Sequence, residues 1–401
     1  MSKRLLYLTA EEWPTFRVDV TTLFGQSLPA QGIQTDLVTE GTPQAAQHAW
    51  PAGDLKLCAQ QTSKARNHIV KFTHLVREAW RAQPGQHSAI QVRDMPVVAA
   101  LGLLAARRKG LPFFYWMSYP QSEGQQDRAR TRGPSAGLRY WFPLLQGLVG
   151  EWLLYRWVMP RADHVFVQSA EMARYVSAKG IDAGKLTPVP MAVDPALADP
   201  AHIPPSDDAR LRGREVVVYL GSLDAARQID VLVEAMARVR AQRPQALLVL
   251  AGDADADDQK AHIRQLLAQP QHQGGVLWTG WKPMAEAWRY VRAAAVAVSP
   301  VPRGLLLDVS SPTKAVEYLA LETPALVNDN PDQQALIEAS QAGRCTPYTV
   351  ADFAHAILEM LAMSPDERAR MGHRGRAHVV AHRNYAHLGR ELAQVYHRLL
   401  P

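Results

Sequence analysis

In the second half of the chain, short apolar runs alternate with longer segments whose apolar positions recur every three or four residues. The apolar runs predict buried β-strands, and the periodic segments predict amphipathic helices. Because the connections are short, the alternation predicts a parallel sheet with helices on both faces. The predicted strands lie at 216–222, 246–253, 275–281, 295–300 and 324–329, and the predicted helices at 229–244, 258–268, 284–294 and from Pro312.

The first half of the chain repeats this pattern and ends in a stretch rich in proline and aspartate at 194–210, which is typical of a linker. We therefore predict an α/β protein with two doubly wound parallel-sheet domains that face a cleft. The domains are predicted at 1–195 and 211–380, and a C-terminal helix at 381–401 is predicted to pack back toward the first domain. Strands of the first half are predicted at 4–10, 34–38, 88–94, 112–118 and 164–169.

The ends of the predicted strands carry candidate binding residues. In doubly wound sheets, ligands bind at the carboxyl ends of the strands. Gly221 with Ser222, Gly252 and Trp281 follow three predicted strands, and Ser311 stands in the loop after a fourth. These positions mark the expected ligand site of the second domain.

The sequence SSPTKAVEYLA at 310–320 predicts a helix that begins at an anion site. Ser311 is a suitable N-cap, and Pro312 suits the first helical position. The free amides of Thr313 and Lys314, the helix dipole and the lysine charge together favour a phosphate group. A well-capped helix with an exposed lysine is the alternative interpretation of the same residues.

Composition narrows the class of protein. A chain of 401 residues is too long for one ordinary core, and 47% hydrophobic and 20% charged residues are typical of a folded globular protein. Two cysteines, Cys58 and Cys345, give no disulfide framework or metal-ligand cluster and fit a reducing compartment. The chain start is expected to be a strand rather than a signal peptide, and we expect no spanning helix. A net charge of +6 and a pI of about 9.3 suit nucleotides, phosphates or an acidic membrane surface.

Five segments in a fixed order carry a resemblance to a known enzyme family. They are ADHVFVQSAEMARYVSAKGIDAGKLTPVPMAVD, VVYLGSLDAARQIDVLVEAM, LLVLAGD, WTGW and SPTKAVEYLALETPALVND. The chain resembles the family-4 retaining glycosyltransferases of GT-B architecture, of the bacterial type that builds exopolysaccharides or envelope glycans. The resemblance covers nearly the whole chain and is strongest over 163–329. It implies two Rossmann-like domains and a nucleotide-sugar donor bound by the second.

The resemblance also implies roles for single residues. Glu317 would accept hydrogen bonds from both ribose hydroxyls, and Arg227, in the loop after YLGSL, would bind the diphosphate. The amides of Thr313 and Lys314 would hold the distal phosphate and stabilise the charge of the departing nucleoside diphosphate. Plain surface positions are the alternative for Glu317 and Arg227. The predicted catalytic residues are Asp94, Arg227 and Lys314, and the predicted donor-binding residues are Gly221, Ser222, Gly252, Trp281, Ser311, Thr313 and Glu317.

The sequence departs from the family pattern near the sugar and on the acceptor side. Eight positions before the ribose-binding glutamate, where the family often has a second glutamate, the chain has Val309 beside Asp308. Ser118 replaces a histidine of many relatives, and the first loop, AEEWPTFR, has no glycine. Arg17 and Ser118 are the predicted acceptor-side residues, with a plain surface arginine as the alternative for Arg17. Asp94 is expected to orient an acceptor hydroxyl or to cap the segment that follows it.

An arginine-rich loop precedes an aromatic helix at 128–160. Arginines beside aromatic and leucine side chains are typical of an interface with anionic lipids. We predict that 128–145 contacts an anionic membrane surface, whereas the helix as a whole is predicted to be buried. The arginines are Arg128, Arg130, Arg132 and Arg139.

A second acidic motif, GDADADD at 252–258, has the D-x-D spacing that binds a metal in a different glycosyltransferase architecture. Here the aspartates lie between a strand and a helix, where they favour the helix start. We expect no metal and no other cofactor, because amides and cationic side chains suffice to hold a diphosphate.

We predict a cytoplasmic enzyme, peripheral on the inner face of the membrane, that transfers a hexose with retention to a glycan or lipid-linked acceptor. A UDP-sugar is favoured over a GDP-sugar as the donor, and no nucleic acid is expected as a partner. A nicotinamide-dependent oxidoreductase is disfavoured, because no strand is followed by G-x-G-x-x-G. The sequence leaves three further functions open: a non-catalytic two-lobed protein that binds sugars or nucleotides, a GT-B phosphorylase and an epimerase.

Overall fold

A computed structural model describes residues 3–400 and divides the chain into two compact units. The first unit runs to Pro190 and also includes the chain from Tyr385 onward, and the second unit is Met191–Asn384. Each unit contains one parallel β-sheet with helical connections, so both are Rossmann-like α/β domains, as predicted.

The sheet of the first unit has seven parallel strands in the order β3-β2-β1-β4-β5-β6-β7. The strands are β1 (Lys3–Trp13), β2 (Ile33–Gly41), β3 (Leu55–Ala59), β4 (Ala89–Arg93), β5 (Phe113–Met117), β6 (His164–Val167) and β7 (Leu186–Pro188). The helices are α1 (Lys64–Arg81), α2 (Pro96–Lys109), α3 (Gln121–Arg132), α4 (Leu138–Leu153), α5 (Met159–Arg161) and α6 (Ala170–Ala178), with π-helical segments at Asp19–Ser27 and Leu154–Val158. Every residue of β4, β5 and β6 is buried, and most of these residues are apolar, although Gln91, Arg93 and His164 are buried with them.

The C-terminal helix, Tyr385–Leu399, belongs to the first unit and packs on its π-helical segment. Its Gly389 lies so close to this segment that an added Cβ would be 2.6 Å from the Ser27 Cβ. Tyr396 of the same helix donates a hydrogen bond of 2.5 Å to Gln91 Oε1 in the core. The helix is therefore attached to the first unit both by close backbone packing and by a buried hydrogen bond.

The sheet of the second unit has six parallel strands in the order β10-β9-β8-β11-β12-β13. The strands are β8 (Glu215–Leu220), β9 (Ala246–Ala251), β10 (Val276–Gly280), β11 (Val296–Ser299), β12 (Ala325–Val327) and β13 (Gly343–Cys345). The helices are α7 (Ile229–Gln242), α8 (Asp257–Leu267), α9 (Met284–Arg292), α10 (Leu305–Asp308), α11 (Thr313–Ala320), α12 (Pro331–Ser340), α13 (Val350–Ala362) and α14 (Pro365–His382). Short 3-10 turns of the first unit lie at Pro29–Gln31, Ala45–Gln47, Pro134–Ala136 and Ala183–Lys185, and those of the second unit at Ala209–Leu211, Ala225–Arg227 and Pro270–His272.

Side chains of β8 alternate between two apolar cores, one on each face of this sheet. Val216 and Val218 pack into one core, and Val217 and Tyr219 pack into the other. Helices therefore cover both faces, which is the doubly wound arrangement expected from the sequence.

The segment 194–210, which has the composition of a linker, packs onto the second unit. Ala198 and Ile203 are buried in one of its two cores, and Arg376 of α14 donates a hydrogen bond of 2.9 Å to the Ala198 carbonyl. Proline and aspartate here prevent regular secondary structure without preventing burial.

The aromatic helix α4 is exposed along most of its length, so the prediction that the helix as a whole is buried was wrong. Its buried residues are Gly147 and Gly150, whereas Trp141 and Trp152 are exposed. Apolar sequence indicated burial, but the small side chains are the ones that face inward.

Within residues 3–400, each helix is too short or too polar to cross a bilayer.

Candidate functional site

Three glycines meet at the carboxyl ends of β8, β9 and β10 in the second unit. A Cβ on Gly252 would lie 1.9 Å from the Gly221 carbonyl oxygen, so the two backbones are in direct contact. Gly252 also forms a bridge with Gly280, and its carbonyl accepts a hydrogen bond of 2.9 Å from Trp278 Nε1. The strand ends thus present backbone rather than side chains, as a close-fitting ligand requires.

Lys314, the second residue of α11, packs against this glycine surface. A Cβ on Gly221 would lie 2.4 Å from Lys314 Cε, and Gly221 has a φ of 134°, which favours glycine. The Lys314 amine lies 5.2 Å from the centroid of the Tyr219 ring. Burial, followed by the nearby positive charge of Arg227, lowers the pKa of Lys314 to about 7.

Arg227 ends the 3-10 turn that follows β8, and its Nε lies 3.9 Å from Asp224 Oδ1. Asp224 accepts a hydrogen bond of 2.8 Å from the Ser222 hydroxyl at its other oxygen. Arg227 Nε is buried and has no hydrogen-bond partner within residues 3–400. The Arg227 guanidinium, whose buried Nε has no hydrogen bond, and the Lys314 amine beside it form a cationic site suited to a diphosphate.

Glu317 lies one turn after Lys314 on α11, and its Oε2 accepts a hydrogen bond of 3.0 Å from Trp288 Nε1 on α9. Burial raises the pKa of Glu317, whereas the Trp288 bond opposes that rise. Trp288 was not predicted, because a tryptophan on an amphipathic helix is more often a core residue. Its indole N–H fixes the carboxylate that the sequence assigned to ribose.

The start of α11 differs from the prediction. The helix begins at Thr313 and Pro312 occupies the N-cap position, so Ser311 is not the N-cap residue. The Ser311 hydroxyl instead accepts hydrogen bonds from the Met191 amide at 2.9 Å and from Arg383 at 3.1 Å, and donates one of 2.8 Å to Asp332. Ser311 therefore anchors the helix start, while the amides of the first turn have no acceptor within the helix.

The loop before α11 contains Val309, at the position where the family often has a second glutamate, and its neighbour Asp308. Val309 is buried, and Asp308 is paired with Arg303, whose Nε lies 2.7 Å from Asp308 Oδ1. Arg303 also lies 2.8 Å from Asp329 Oδ2, so one arginine holds two carboxylates. Asp308 therefore belongs to a charge cluster of this loop, which the sequence did not indicate.

Trp281 follows β10 and is 71% exposed. Ser222 is also exposed, but Trp281 is the large side chain that is exposed among the predicted donor-binding residues. An exposed indole next to a backbone surface can stack on a planar base.

In the first unit, Asp94 and Ser118 are in contact at the ends of β4 and β5. Asp94 accepts hydrogen bonds from the Ser118 amide at 2.7 Å, from the Ser118 hydroxyl and from the Tyr119 amide at 3.2 Å. Asp94 has a φ of 54°, and burial raises its pKa. The alternative that Asp94 caps the segment after it is not what the structure shows, because the carboxylate binds the turn after β5.

Arg17 is connected to this pair through buried charges. Its Nε lies 3.3 Å from Asp19 Oδ1, and Asp19 Oδ2 lies 2.8 Å from Arg93 Nη2. Arg93 Nε in turn lies 3.5 Å from Asp94 Oδ2. Arg17, Ser118 and Asp94 thus share one charged network of the first unit, which makes a plain surface arginine a poor description of Arg17.

The acidic motif after β9 lies at a helix start. Asp257 and Asp258 occupy the first turn of α8, and Asp253 Oδ2 lies 3.7 Å from Lys260 Nζ. Within residues 3–400, no three His, Cys, Asp or Glu side chains are grouped to hold a metal ion.

Family profiles match both halves of the chain. The profile described as "Glycosyl transferase 4-like domain" matches residues 19–192, and the profile described as "Glycosyl transferases group 1" matches residues 214–363. No curated protein matches the sequence.

Solved structures share the fold over the full chain. Sucrose-phosphate synthase from Thermosynechococcus elongatus is 19% identical and has a TM-score of 0.73 over 99% of both chains. Anabaena HepE in complex with UDP is 14% identical, with a TM-score of 0.69 over 99% of this chain and 100% of that one. A glycosyltransferase from Rickettsia africae is 12% identical, with a TM-score of 0.71 over 100% of this chain and 99% of that one.

The matched profiles account for most of the chain, and the shared fold extends over all of it. The resemblance to family-4 glycosyltransferases of GT-B architecture is therefore confirmed. The chain belongs to the family-4 glycosyltransferases of GT-B fold and is a glycosyltransferase enzyme.

Proposed function

We propose that this glycosyltransferase moves a hexose from a UDP-sugar to a glycan or lipid-linked acceptor, with retention of anomeric configuration. The proposal rests on one observation above all: Lys314 packs on Gly221 at the end of β8, with Arg227, whose buried Nε has no hydrogen bond, and the oriented Glu317 nearby. Cationic, amide and carboxylate groups at one strand edge match the parts of a nucleoside diphosphate.

The donor is assigned to the second unit part by part. Arg227, Lys314 and the first amides of α11 bind the diphosphate, and Glu317 accepts hydrogen bonds from the ribose hydroxyls. The base lies along the backbone at Gly252, with Trp281 available for stacking. HepE, which shares the fold, was solved with UDP and with UDP-glucose, which supports uracil as the base of the donor.

The cationic groups, Arg227 and Lys314, stabilise the negative charge that develops when UDP leaves the sugar. Breaking the bond from the sugar to the phosphate oxygen leaves negative charge on the diphosphate, and fixed donors lower the energy of that charge. Lys314, whose pKa burial lowers to about 7, takes up a proton as this charge approaches. Amides and two basic side chains hold the diphosphate in this proposal, and no metal or other cofactor takes part.

The acceptor is assigned to the first unit. Asp94 orients the acceptor hydroxyl, with Ser118 fixing its carboxylate and Arg17 supplying positive charge nearby. Residues 128–145 contact an anionic membrane surface from the cytoplasmic side in this proposal. The family resemblance favours bacterial exopolysaccharide or envelope glycan synthesis as the pathway. Nucleic acid is not a partner in this proposal.

The test is a donor screen with the purified enzyme in the presence of a metal chelator. UDP-hexoses and GDP-hexoses are compared by nucleotide release with and without a lipid-phosphate acceptor, and NMR of the product gives the anomeric configuration. Release that requires an acceptor supports the proposal. Donor conversion without an acceptor would instead favour a phosphorylase or an epimerase.

A further inference from the structure

The first unit contains a cavity of about 800 Å³, within the range of ligand-binding pockets. One part of its wall is polar and includes Asp94, Ser122 and Gln125. Another part is apolar and includes Phe72, Val97 and Phe142. A cavity with both kinds of wall suits an amphiphilic molecule rather than a sugar alone.

The apolar part of the wall opens to the surface. Phe142 is 69% exposed and Val97 is 50% exposed, although both line the cavity. Exposed large apolar side chains at a cavity mouth have a cost in water that a hydrocarbon ligand would remove.

Helix α4, which carries Phe142, has its large apolar side chains outward. A Cβ on Gly147 would lie 2.6 Å from the Ser122 carbonyl oxygen, so glycine allows α4 to pack tightly on α3. Glu151 also faces inward, where it accepts a hydrogen bond of 2.6 Å from Gln126 and pairs with Lys179 at 2.7 Å. The outer face is formed by Leu138, Trp141, Phe142, Leu145, Leu148, Val149 and Trp152.

These outer residues recur every three or four positions and therefore form one continuous stripe along α4. A surface helix in water normally buries such residues and exposes polar ones, whereas α4 does the opposite. The stripe is continuous with the cavity, because Phe142 belongs to both.

The segment that carries this stripe has an excess of positive charge. Segment 128–161 contains six arginines and one glutamate, and the glutamate is the inward-facing Glu151. Within residues 3–400, none of the six arginines pairs with a carboxylate. The exposed arginines are Arg128, Arg130, Arg132, Arg139, Arg156 and Arg161.

The excess of positive charge indicates what covers the outer face of α4. A second copy of the chain docked on this face by two-fold symmetry would bring arginines against arginines. An anionic bilayer instead supplies hydrocarbon for the stripe and phosphate groups for the arginines.

We infer that the cavity binds the hydrocarbon chain of a lipid-anchored anionic acceptor, which reaches it from the bilayer along the outer face of α4 and presents its hydroxyl to Asp94. This inference rests on the proposed function, whose acceptor it narrows to an amphiphile. It also extends the membrane-facing surface from Leu145 to Trp152, which is 61% exposed.

The test is calorimetric titration with octyl, decyl and dodecyl phosphate below their micelle-forming concentrations, with inorganic phosphate as the headgroup alone. A chain buried in the cavity raises the affinity by roughly tenfold for every two methylenes. Val97→Trp, which fills the mouth, is expected to weaken dodecyl phosphate binding at least tenfold. Val380→Trp, on α14 of the second unit and 43% exposed, is the matched control and should bind like wild type. Melting curves verify that both variants fold.

Affinity that does not depend on chain length, or equal binding by the two variants, would overturn the inference. So would a stable dimer in light scattering that Trp152→Arg converts to a monomer, because a second copy would then cover the stripe. UDP titrations on the same samples separate this failure from failure of the proposed function: normal UDP binding with unchanged dodecyl phosphate binding overturns the inference alone.

Discussion

At the scale of the residue, Lys314 is poised to respond to an anionic ligand. Its amine is enclosed between Gly221 and the Tyr219 ring, and burial lowers its pKa to about 7. Above pH 7 the free enzyme holds this amine largely neutral. A bound diphosphate favours the charged form, so binding takes up a proton.

The proton uptake leads to a pH dependence of UDP affinity. Between pH 7 and 9 the affinity is expected to fall by up to about tenfold per pH unit, because the free site must gain a proton that becomes scarcer. Calorimetry across this range measures the slope. Lys314→Arg, which stays charged, should lose the slope, and a slope equal to that of wild type would show that another group titrates.

The bond from Trp288 to Glu317 leads to a second prediction. Trp288→Phe removes the N–H that holds Glu317 Oε2 at 3.0 Å and leaves that carboxylate buried with one donor fewer. UDP affinity is expected to fall about tenfold, whereas pyrophosphate affinity should change little, because Glu317 serves the ribose. Tyr290 lies on the same helix as Trp288, and its hydroxyl donates a hydrogen bond to Asp208. Tyr290→Phe, which removes this hydroxyl, is the control. Equal loss of UDP and pyrophosphate binding would mean that Trp288 acts only through folding.

Sequence alone indicated Lys314, Gly221 and Glu317, because their spacing from a strand end and a helix start is readable. It did not indicate Trp288 or Arg303, since their partners are distant in the chain or belong to a loop. Which donor a buried carboxylate uses depends on how α9 packs against α11, and no local pattern records that contact.

At the scale of the element, one charge cluster holds the start of α11 in place. Arg383, just after α14, lies 2.9 Å from Asp332 Oδ2 on α12 and donates a hydrogen bond of 2.9 Å to the Met191 carbonyl. Both Arg383 and Asp332 are mostly buried. The Ser311 hydroxyl joins the same cluster, so four segments of the second unit meet there.

Arg383→Ala should destabilise the second unit strongly, because Asp332 would keep a buried charge without its partner. The expected loss in the free energy of unfolding is about 3 kcal/mol. Denaturant unfolding measures it, with Arg374→Ala on the exposed side of α14 as the control. A loss below about 1 kcal/mol would show that water replaces the arginine.

Interior strands were predictable, whereas three of the four edge strands were not. β5 and β9 are buried on both faces and therefore consist of apolar residues throughout. β3, β7 and β13 lie at sheet edges and are only partly buried, so polar residues such as Lys56 and Arg344 interrupt their patterns. Helix α4 shows the reverse failure: its apolar sequence indicated burial although glycines form the contact.

At the scale of the whole molecule, the net charge of +6 and the arginine-flanked face of α4 favour an anionic bilayer. Wild type is expected to sediment with vesicles that contain phosphatidylglycerol and to do so less with pure phosphatidylcholine. Trp152→Ser should weaken vesicle binding about tenfold, since an interfacial indole is lost. Trp281→Ser, which removes an exposed tryptophan of the second unit, should not. Equal binding by the two variants would contradict a membrane role for α4.

The two-unit organisation followed from the alternation of strands and helices, which extends over the whole chain. The behaviour of 194–210 did not follow, because composition indicates irregular backbone but not where that backbone packs. Its burial depends on Ala198 and Ile203 fitting the core of the second unit, which only the folded chain reveals.

The central claim is that the strand ends around Gly221, Lys314 and Glu317 bind a nucleoside diphosphate. The most direct measurement is calorimetric titration with UDP and GDP in a metal chelator, on wild type and on Glu317→Ala, with Glu338→Ala on the exposed face of α12 as the control. Micromolar binding of UDP by wild type and the control, weakened at least tenfold in Glu317→Ala, is the predicted result. Binding of neither nucleotide, or equal binding by Glu317→Ala and wild type, would contradict the claim.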